Sequence, residues 1–244
     1  MTNKLYSDFI PSYEPERVAA LQLYLILSSP GLTVFDRFVS VMARLLDAPI
    51  ALISLVRETD VVFVGNAGLP EARVLGREES MCSVAILSDE ITVYEDILLE
   101  PCTLVNPEVA QRLNLGFYAG VPLRSPNGMA LGSLCALDHQ PRTLSAAEAE
   151  LLTQFGLVAQ ELLAYQAAKA TQNAQPDSFP TQYDEAIHQA LNRLGSLLRL
   201  RSWDAMSDPG EDDRYTASQL QLACFQAQQL REQLQTATAE FQLV

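Results

Sequence analysis

Four cysteines, Cys82, Cys102, Cys135 and Cys224, and two histidines, His139 and His188, are the side chains of this 244-residue chain best suited to redox, nucleophilic or metal chemistry. The cysteines are widely scattered, with no Cys-x-x-Cys pair, so neither a zinc site nor a disulfide framework is expected. Two histidines leave a zinc centre few ligands to draw on. A thiol reacts as its thiolate, which neighbouring cations favour. Cys102 instead follows Glu95, Asp96 and Glu100, carboxylates that oppose thiolate formation. Cys82 and Cys135 stand in apolar runs and read as small buried residues. No Gly-x-x-x-x-Gly-Lys phosphate loop, Gly-x-Ser-x-Gly elbow or His-Glu-x-x-His pair occurs. Asp96 and Asp138 are lone carboxylates with no acid–base partner in sequence. No catalytic residue and no metal ligand set is therefore expected.

The elements that would position these side chains follow from periodicity. Glu16 to Ser28 reads as one helix with Val18, Leu21 and Leu25 on a face, stopped by Ser28-Ser29-Pro30-Gly31. A second helix begins near Thr33, carries Val34, Phe35, Phe38, Val41, Met42 and Leu45 inward, and ends before Asp47-Ala48-Pro49. The period then shortens. Ile50–Val56 and Val61–Gly65 read as strands around a polar turn, Cys82–Leu87 as a short helix, and Ile91–Tyr94 as a third strand. Residues 70–80 read as polar loop. Phe117–Leu123 and Leu131–Leu137 form a hairpin around Pro126-Asn127-Gly128. Ser145 and Glu148 have capping-box spacing ahead of a long helix to about Lys169. Along it Leu151, Phe155, Val158, Leu162 and Tyr165 make a seam suited to another helix. This order describes an α+β fold, an antiparallel sheet flanked by helices.

Pro176 and Pro180 mark a polar linker. Two further helical patterns follow, Asp184–Leu200 with a stripe of Ile187, Leu191, Leu194 and Leu198, and Ser218–Val244 with Leu220, Ala223, Ala227, Leu230, Leu234, Ala237, Phe241 and Val244. Such stripes need burial against each other, the long helix or a second subunit. The expected division is an arm (1–13), a main domain (14–168), a linker (169–182) and a C-terminal helical hairpin (183–244).

The net charge of −14 repels phosphate backbones and anionic lipid, so neither nucleic acid nor membrane is an expected partner. The 48% apolar composition supplies a core, yet no run reaches the roughly 18 residues of a membrane span. The start lacks the layout of a secretory signal. A cytoplasmic location is expected.

Phe35-Asp36-Arg37-Phe38, Ala43-Arg44-Leu45-Leu46-Asp47-Ala48-Pro49 and Ala51–Val56 resemble the opening of GAF domains attached to bacterial sensor kinases and diguanylate cyclases. Cys82–Glu90, Phe117–Leu123, Leu131–Asp138 and Pro141-Arg142-Thr143-Leu144 continue the resemblance in the same order, over about residues 14–168. It implies a GAF-like sheet and a small-molecule pocket between one sheet face and the connections after its second and third strands. Here that region would include Phe63, Cys82, Ile86, Tyr94, Phe117, Tyr118 and Asp138. The marks of bilin, cyclic-nucleotide and haem pockets are missing, since Cys82 precedes Ser83 and no Asn-Lys…Phe…Asp-Glu set occurs. No cofactor is named.

The resemblance implies a non-catalytic sensor in which a small molecule or redox state alters helix packing for a signalling partner. Two alternatives stand beside it. Free methionine-(R)-sulfoxide reductases share the fold, and Ser80-Met81-Cys82-Ser83 stands where they carry Gly-Val-Cys-Gly. Their His-Ile-Ala-Cys-Asp segment has no counterpart, which leaves Cys102 as a substitute at another spacing. The other alternative is a ligand-free dimerisation scaffold. His188-Gln189-Ala190-Leu191-Asn192-Arg193-Leu194 resembles the phosphoacceptor segment of histidine kinases, without its acidic residue and proline. A degenerate dimerisation hairpin and a homodimer are the corresponding expectations.

Overall fold

The apolar run after Pro49 forms strand β1, Ile50–Val56, and Asp60–Ala67 folds back on it as β2. The computed structural model describes residues 10–28, 33–70, 72–102, 105–172, 181–204 and 212–242. Most of the expected arm, the stop at 29–31 and the linker prolines lie outside them. The chain divides at Leu144/Ser145 into two compact units.

In the first unit, β3 (Val74–Gly76), β4 (Thr92–Tyr94), β5 (Phe117–Arg124) and β6 (Ala130–Asp138) complete an antiparallel sheet of order β3-β2-β1-β6-β5-β4. Strand β1 pairs on both sides and is buried along its whole length, which is why it reads as a continuous apolar run. Strand β3 was not expected, because three residues beside a polar 3-10 turn (Arg77–Glu79) carry no periodic signal. The β5–β6 hairpin turns at the expected Pro126-Asn127-Gly128. Just past that turn, β6 lies so close to β1 that a Cβ on Gly132 would fall 1.8 Å from the Ser54 carbonyl oxygen. Only a residue without a side chain fits there.

Helix α1 (Glu14–Leu21) runs into a 3-10 helix, Gln22–Ser28, rather than forming one α-helix. The buried residues are Arg17, Leu21, Tyr24 and Leu27, the last three at the three-residue spacing of the tighter winding. Val18 and Leu25 are only half-buried, so the inward face differs from the expected one by about one residue. Arg17 takes the inward place because every direction it points in offers an acceptor. Its guanidinium grips the Glu14 carboxylate with two 2.7 Å bonds and donates to the Val56 and Ala130 carbonyls at 2.7 and 3.2 Å. Arg77, equally buried, donates to the same carboxylate at 2.6 Å.

Helix α2 (Thr33–Leu45) buries Phe35, Phe38, Val39, Val41 and Met42, and Phe35 Cβ lies 3.1 Å from where a Cβ on Gly65 of β2 would be. The opposite sheet face carries Ile50, Leu52, Val56, Val61, Phe63, Tyr118, Cys135 and Leu137 in one apolar cluster with the short helix α3 (Cys82–Ala85). Helix α4 (Pro107–Arg112) contributes Ala110 to it, and begins at Asn106, whose side chain accepts from the Glu108 amide at 3.0 Å.

The second unit is three helices, α5 (Ala146–Gln172), α6 (Thr181–Asp204) and α7 (Asp212–Gln242). The capping box forms: Ser145 Oγ accepts from the Glu148 amide at 3.3 Å and Glu148 accepts from the Ser145 amide at 2.9 Å. Helix α7 packs against both α5 and α6. Its stripe of Leu220, Ala223, Ala227, Leu230, Leu234 and Ala237 is buried, as are Ile187, Leu191 and Leu194 of α6 and the expected α5 seam. Leu198, Phe241 and Val244 lie outside the described side chains. Asp184 ties α6 to α5, pairing with Lys169 and accepting from Tyr165 Oη at 3.2 Å. Among the described residues, no single helix is long and apolar enough to cross a membrane.

Candidate functional site

A cavity of about 170 Å³ opens beneath the β1–β6–β5 face of the first unit. Leu52, Phe63, Leu69, Ile97, Leu115 and Leu137 give it apolar walls, and the exposed Leu98, Pro101 and Gln111 border its mouth. Three of the chain's four cysteines, Cys82, Cys102 and Cys135, line it together with Met81.

Register explains how these side chains meet. Leu52, Cys135 and Gly120 lie abreast on β1, β6 and β5 and share one face. Gly120 leaves that position empty, and the Tyr118 ring occupies it: a Cβ on Gly120 would sit 2.4 Å from Tyr118 Oη. One step along, Ser54 and Ser133 pair across β1 and β6, their hydroxyls 3.1 Å apart and wholly buried. Cys82 approaches from α3, where the Ser80 hydroxyl accepts from its amide at 3.3 Å. Its Sγ comes within 3.8 Å of Cys135 Sγ, which in turn lies 3.9 Å from the Leu52 carbonyl. A patch of thiols and hydroxyls thus floors an apolar cavity.

The two thiols are polarised in opposite senses. The hydrogen bond from Cys135 outweighs burial and, with the Ser133, Ser54 and Ser80 hydroxyls, holds Cys82 below the ordinary thiol range. Cys135, as the donor and itself buried, is pushed well above it. Burial, with the charge of Cys82 and Cys135 beside it, raises Tyr118 well above the ordinary phenol value, so it stays protonated. Its hydroxyl makes no hydrogen bond among the described residues, although it faces these side chains. The pocket therefore offers a ligand one buried, unengaged hydrogen-bonding group.

Of the residues expected at a pocket, Phe63, Cys82 and Tyr118 line the cavity together. Ile86 is fully buried in the cluster around it, and Tyr94 packs half-buried on the same cluster. Phe117 and Asp138 lie elsewhere. They pair with each other in register and, as neighbours of Tyr118 and Leu137, point from the opposite face. There Arg142 stacks over the Phe117 ring at 5.5 Å and approaches Asp138 at 3.8 Å. The sequence reading missed Cys135 as a pocket residue. Strand β6 is apolar on both faces, so alternation does not reveal which residues look inward. His188 is exposed, its Nδ1 2.7 Å from the Asp184 carbonyl on its own helix. Among the described residues, no group of three metal-ligating side chains occurs.

The GAF domain family model matches residues 31–161, more than half of the chain. This chain belongs to the GAF domain family. A cyclic di-GMP phosphodiesterase of Pseudomonas aeruginosa is 33% identical to this GAF protein over 132 residues, which make up 54% of this chain and 22% of that one. The chain thus spans about a fifth of that relative's length. Two solved structures are similar at TM-score 0.47. The GAF domain of an Acinetobacter phosphoenolpyruvate-protein phosphotransferase is 18% identical, over 65% of this chain and 98% of that one. A free methionine-R-sulfoxide reductase from Neisseria meningitidis, solved with its substrate, is 15% identical over 62% and 89%.

Proposed function

We propose that this chain is a non-catalytic sensory module of a signalling protein, in which occupancy or oxidation of the GAF cavity alters helix packing that a partner reads. The observation that carries this is an apolar cavity of about 170 Å³ with one unengaged phenol in its floor. An apolar cavity of about 150 Å³ admits a benzene-sized molecule. The expected ligand is thus a small, uncharged, largely apolar compound of roughly that size with one hydrogen-bonding group. For transmission, the ligand must bind two helix arrangements unequally. The division into residues 14–168 and a two-helix tail at 183–244, a degenerate histidine-kinase-like hairpin, a homodimer and a cytoplasmic location belong to the same proposal. The phosphodiesterase relative is consistent with it, as a larger protein carrying a segment similar to this one.

Native mass spectrometry against the denatured mass tests the reading. A bound small molecule on a dimer supports it. A chain that gives neither a ligand nor a thermal shift with toluene-sized compounds favours the scaffold reading, in which the cavity stays empty.

A second reading is kept because Cys82 and Cys102 line one cavity: a sulfoxide reductase using those thiols. Separate Cys82→Ser and Cys102→Ser variants decide it. Loss of methionine sulfoxide turnover in either would establish the enzyme, and absence of turnover in the unaltered chain removes it.

A further inference from the structure

The Cys82–Cys135 contact is an arrangement that neither packing nor a ligand pocket requires. The Sγ atoms stand 3.8 Å apart, on different elements 53 residues apart in the chain, and both line the cavity. We propose that Cys82 and Cys135 are a peroxidatic and resolving pair that converts to an intramolecular disulfide when a small hydroperoxide enters the cavity. This deepens the sensory reading and rests on the cavity being its input site.

The roles follow from the surroundings. Cys82 sits at the start of the four-residue helix α3, amid the Ser80, Ser54 and Ser133 hydroxyls and the Cys135 thiol, all of which stabilise a thiolate. Cys135 is held in a central strand, its Sγ 3.8 Å from that of Cys82. In the first step the Cys82 thiolate attacks the terminal oxygen of ROOH. An S–O bond forms, the O–O bond breaks, and the electron pair leaves on RO⁻, which takes a proton and departs as ROH. Cys82 is now a sulfenic acid. In the second step Cys135 sulfur attacks Cys82 sulfur. An S–S bond forms, the S–O bond breaks, and hydroxide leaves with the Cys135 proton as water. The sum is two thiols and ROOH giving a disulfide, ROH and water.

Closing the gap from 3.8 Å to the roughly 2.05 Å of a disulfide needs a movement of under 2 Å. Strand β6 is paired on both sides, so the shift falls on α3. Oxidation then draws α3 onto the sheet and changes the cavity floor, which gives the thiol chemistry a conformational output. The narrow apolar cavity also selects the oxidant, since a small hydroperoxide fits and a glutathione-sized tripeptide does not. The other two thiols serve as internal controls. Cys102 lines the same cavity, just after Pro101. Cys224, on α7, is pushed up to about 11 by burial and by Glu150.

The test uses the full chain, reduced, desalted and treated anaerobically with one equivalent of tert-butyl hydroperoxide. Titratable thiols, measured after unfolding, should fall from four to two. Non-reducing peptide mapping should join the Cys82 and Cys135 peptides and no others. In Cys135→Ser, dimedone should trap a sulfenic acid on Cys82. In Cys82→Ser, the same treatment should join no peptides and leave the three remaining thiols titratable. Four thiols surviving excess oxidant, a Cys82–Cys102 bridge, or a sulfenic acid persisting on Cys82 while Cys135 stays reduced would each overturn the proposal. The first two readouts need only the unaltered chain, so they decide the matter even if a variant does not fold. A thermal shift of the reduced, unaltered chain by toluene reports the cavity separately. Stabilisation without a disulfide sinks the thiol pair alone, and a disulfide without stabilisation sinks the ligand reading alone.

Discussion

Arg17 and Glu14 form a two-pronged ion pair, both bonds 2.7 Å, with the arginine wholly buried and the carboxylate shared with the equally buried Arg77. Two arginines share one carboxylate there, and backbone carbonyls accept further donors: Val56 and Ala130 from Arg17, Arg57 and Glu58 from Arg77. The cluster fastens helix α1 and the turn after β3 to the end of the sheet. Glu14→Gln removes the carboxylate that both guanidiniums share. The expected cost is about 3–5 kcal/mol, read as a lower urea midpoint with an unchanged slope.

The same carboxyl gives a pH signature. Burial alone would raise Glu14, but the hydrogen bonds and charges of Arg17 and Arg77 prevail and hold it below 4.5. A depressed carboxyl stabilises the fold fully at neutral pH and loses that contribution as pH falls through its folded value. Unfolding free energy should therefore decline with acid below about pH 4.5, and decline less steeply in Glu14→Gln. Equal slopes in the two proteins would refute the assignment.

Tyr118→Phe should separate stability from binding. Removing a buried hydroxyl that has no partner relieves a desolvation cost, so the empty chain should gain about 1 kcal/mol in urea unfolding. Acetophenone, whose carbonyl can accept from the phenol, should bind about tenfold more weakly to the variant, the value of one hydrogen bond. Toluene, which cannot, should bind both alike by calorimetry.

Gly132→Ala places a methyl group 1.8 Å from the Ser54 carbonyl oxygen, where Gly132 pairs with Leu55 at the end of the β1–β6 register. Neither strand is at an edge, so neither can step aside. A destabilisation of about 3 kcal/mol or more is expected, together with loss of amide-exchange protection along β1 and β6.

In the helical unit, Leu230 is 1% exposed and Leu222, on the same helix, is 44% exposed. Leu230→Ala should cost about 2–5 kcal/mol, followed by circular dichroism on heating, whereas Leu222→Ala should fall within about 0.5 kcal/mol of the parent.

The elements themselves were largely legible, and particular residues show why. Ser145 and Glu148 announced the start of α5 because a capping box is local chemistry. The α7 stripe from Leu220 to Ala237 was legible because a helix repeats every 3.6 residues whatever it packs on. Strand β3 was not, being three residues whose only reason to extend is pairing with β2. Val18 and Leu25 were favoured over Arg17 as inward residues because hydropathy ranks a guanidinium outward. The Glu14 carboxylate that reverses this is local, but the Val56 and Ala130 carbonyls that complete it are distant in sequence.

The sequence by itself determined the α+β order of elements and the helical C-terminal part, while the GAF type came from a family resemblance. It did so because turn chemistry, caps and hydrophobic period all act over a few residues. Tertiary structure alone decided what the site contains. Cys82 meets Cys135, Tyr118 fills the space left by Gly120, and Phe117 and Asp138 turn to the other face. Each of these depends on strand register. A shift of one residue exchanges the two faces of a strand, and strands apolar on both faces carry no alternation from which that register can be read.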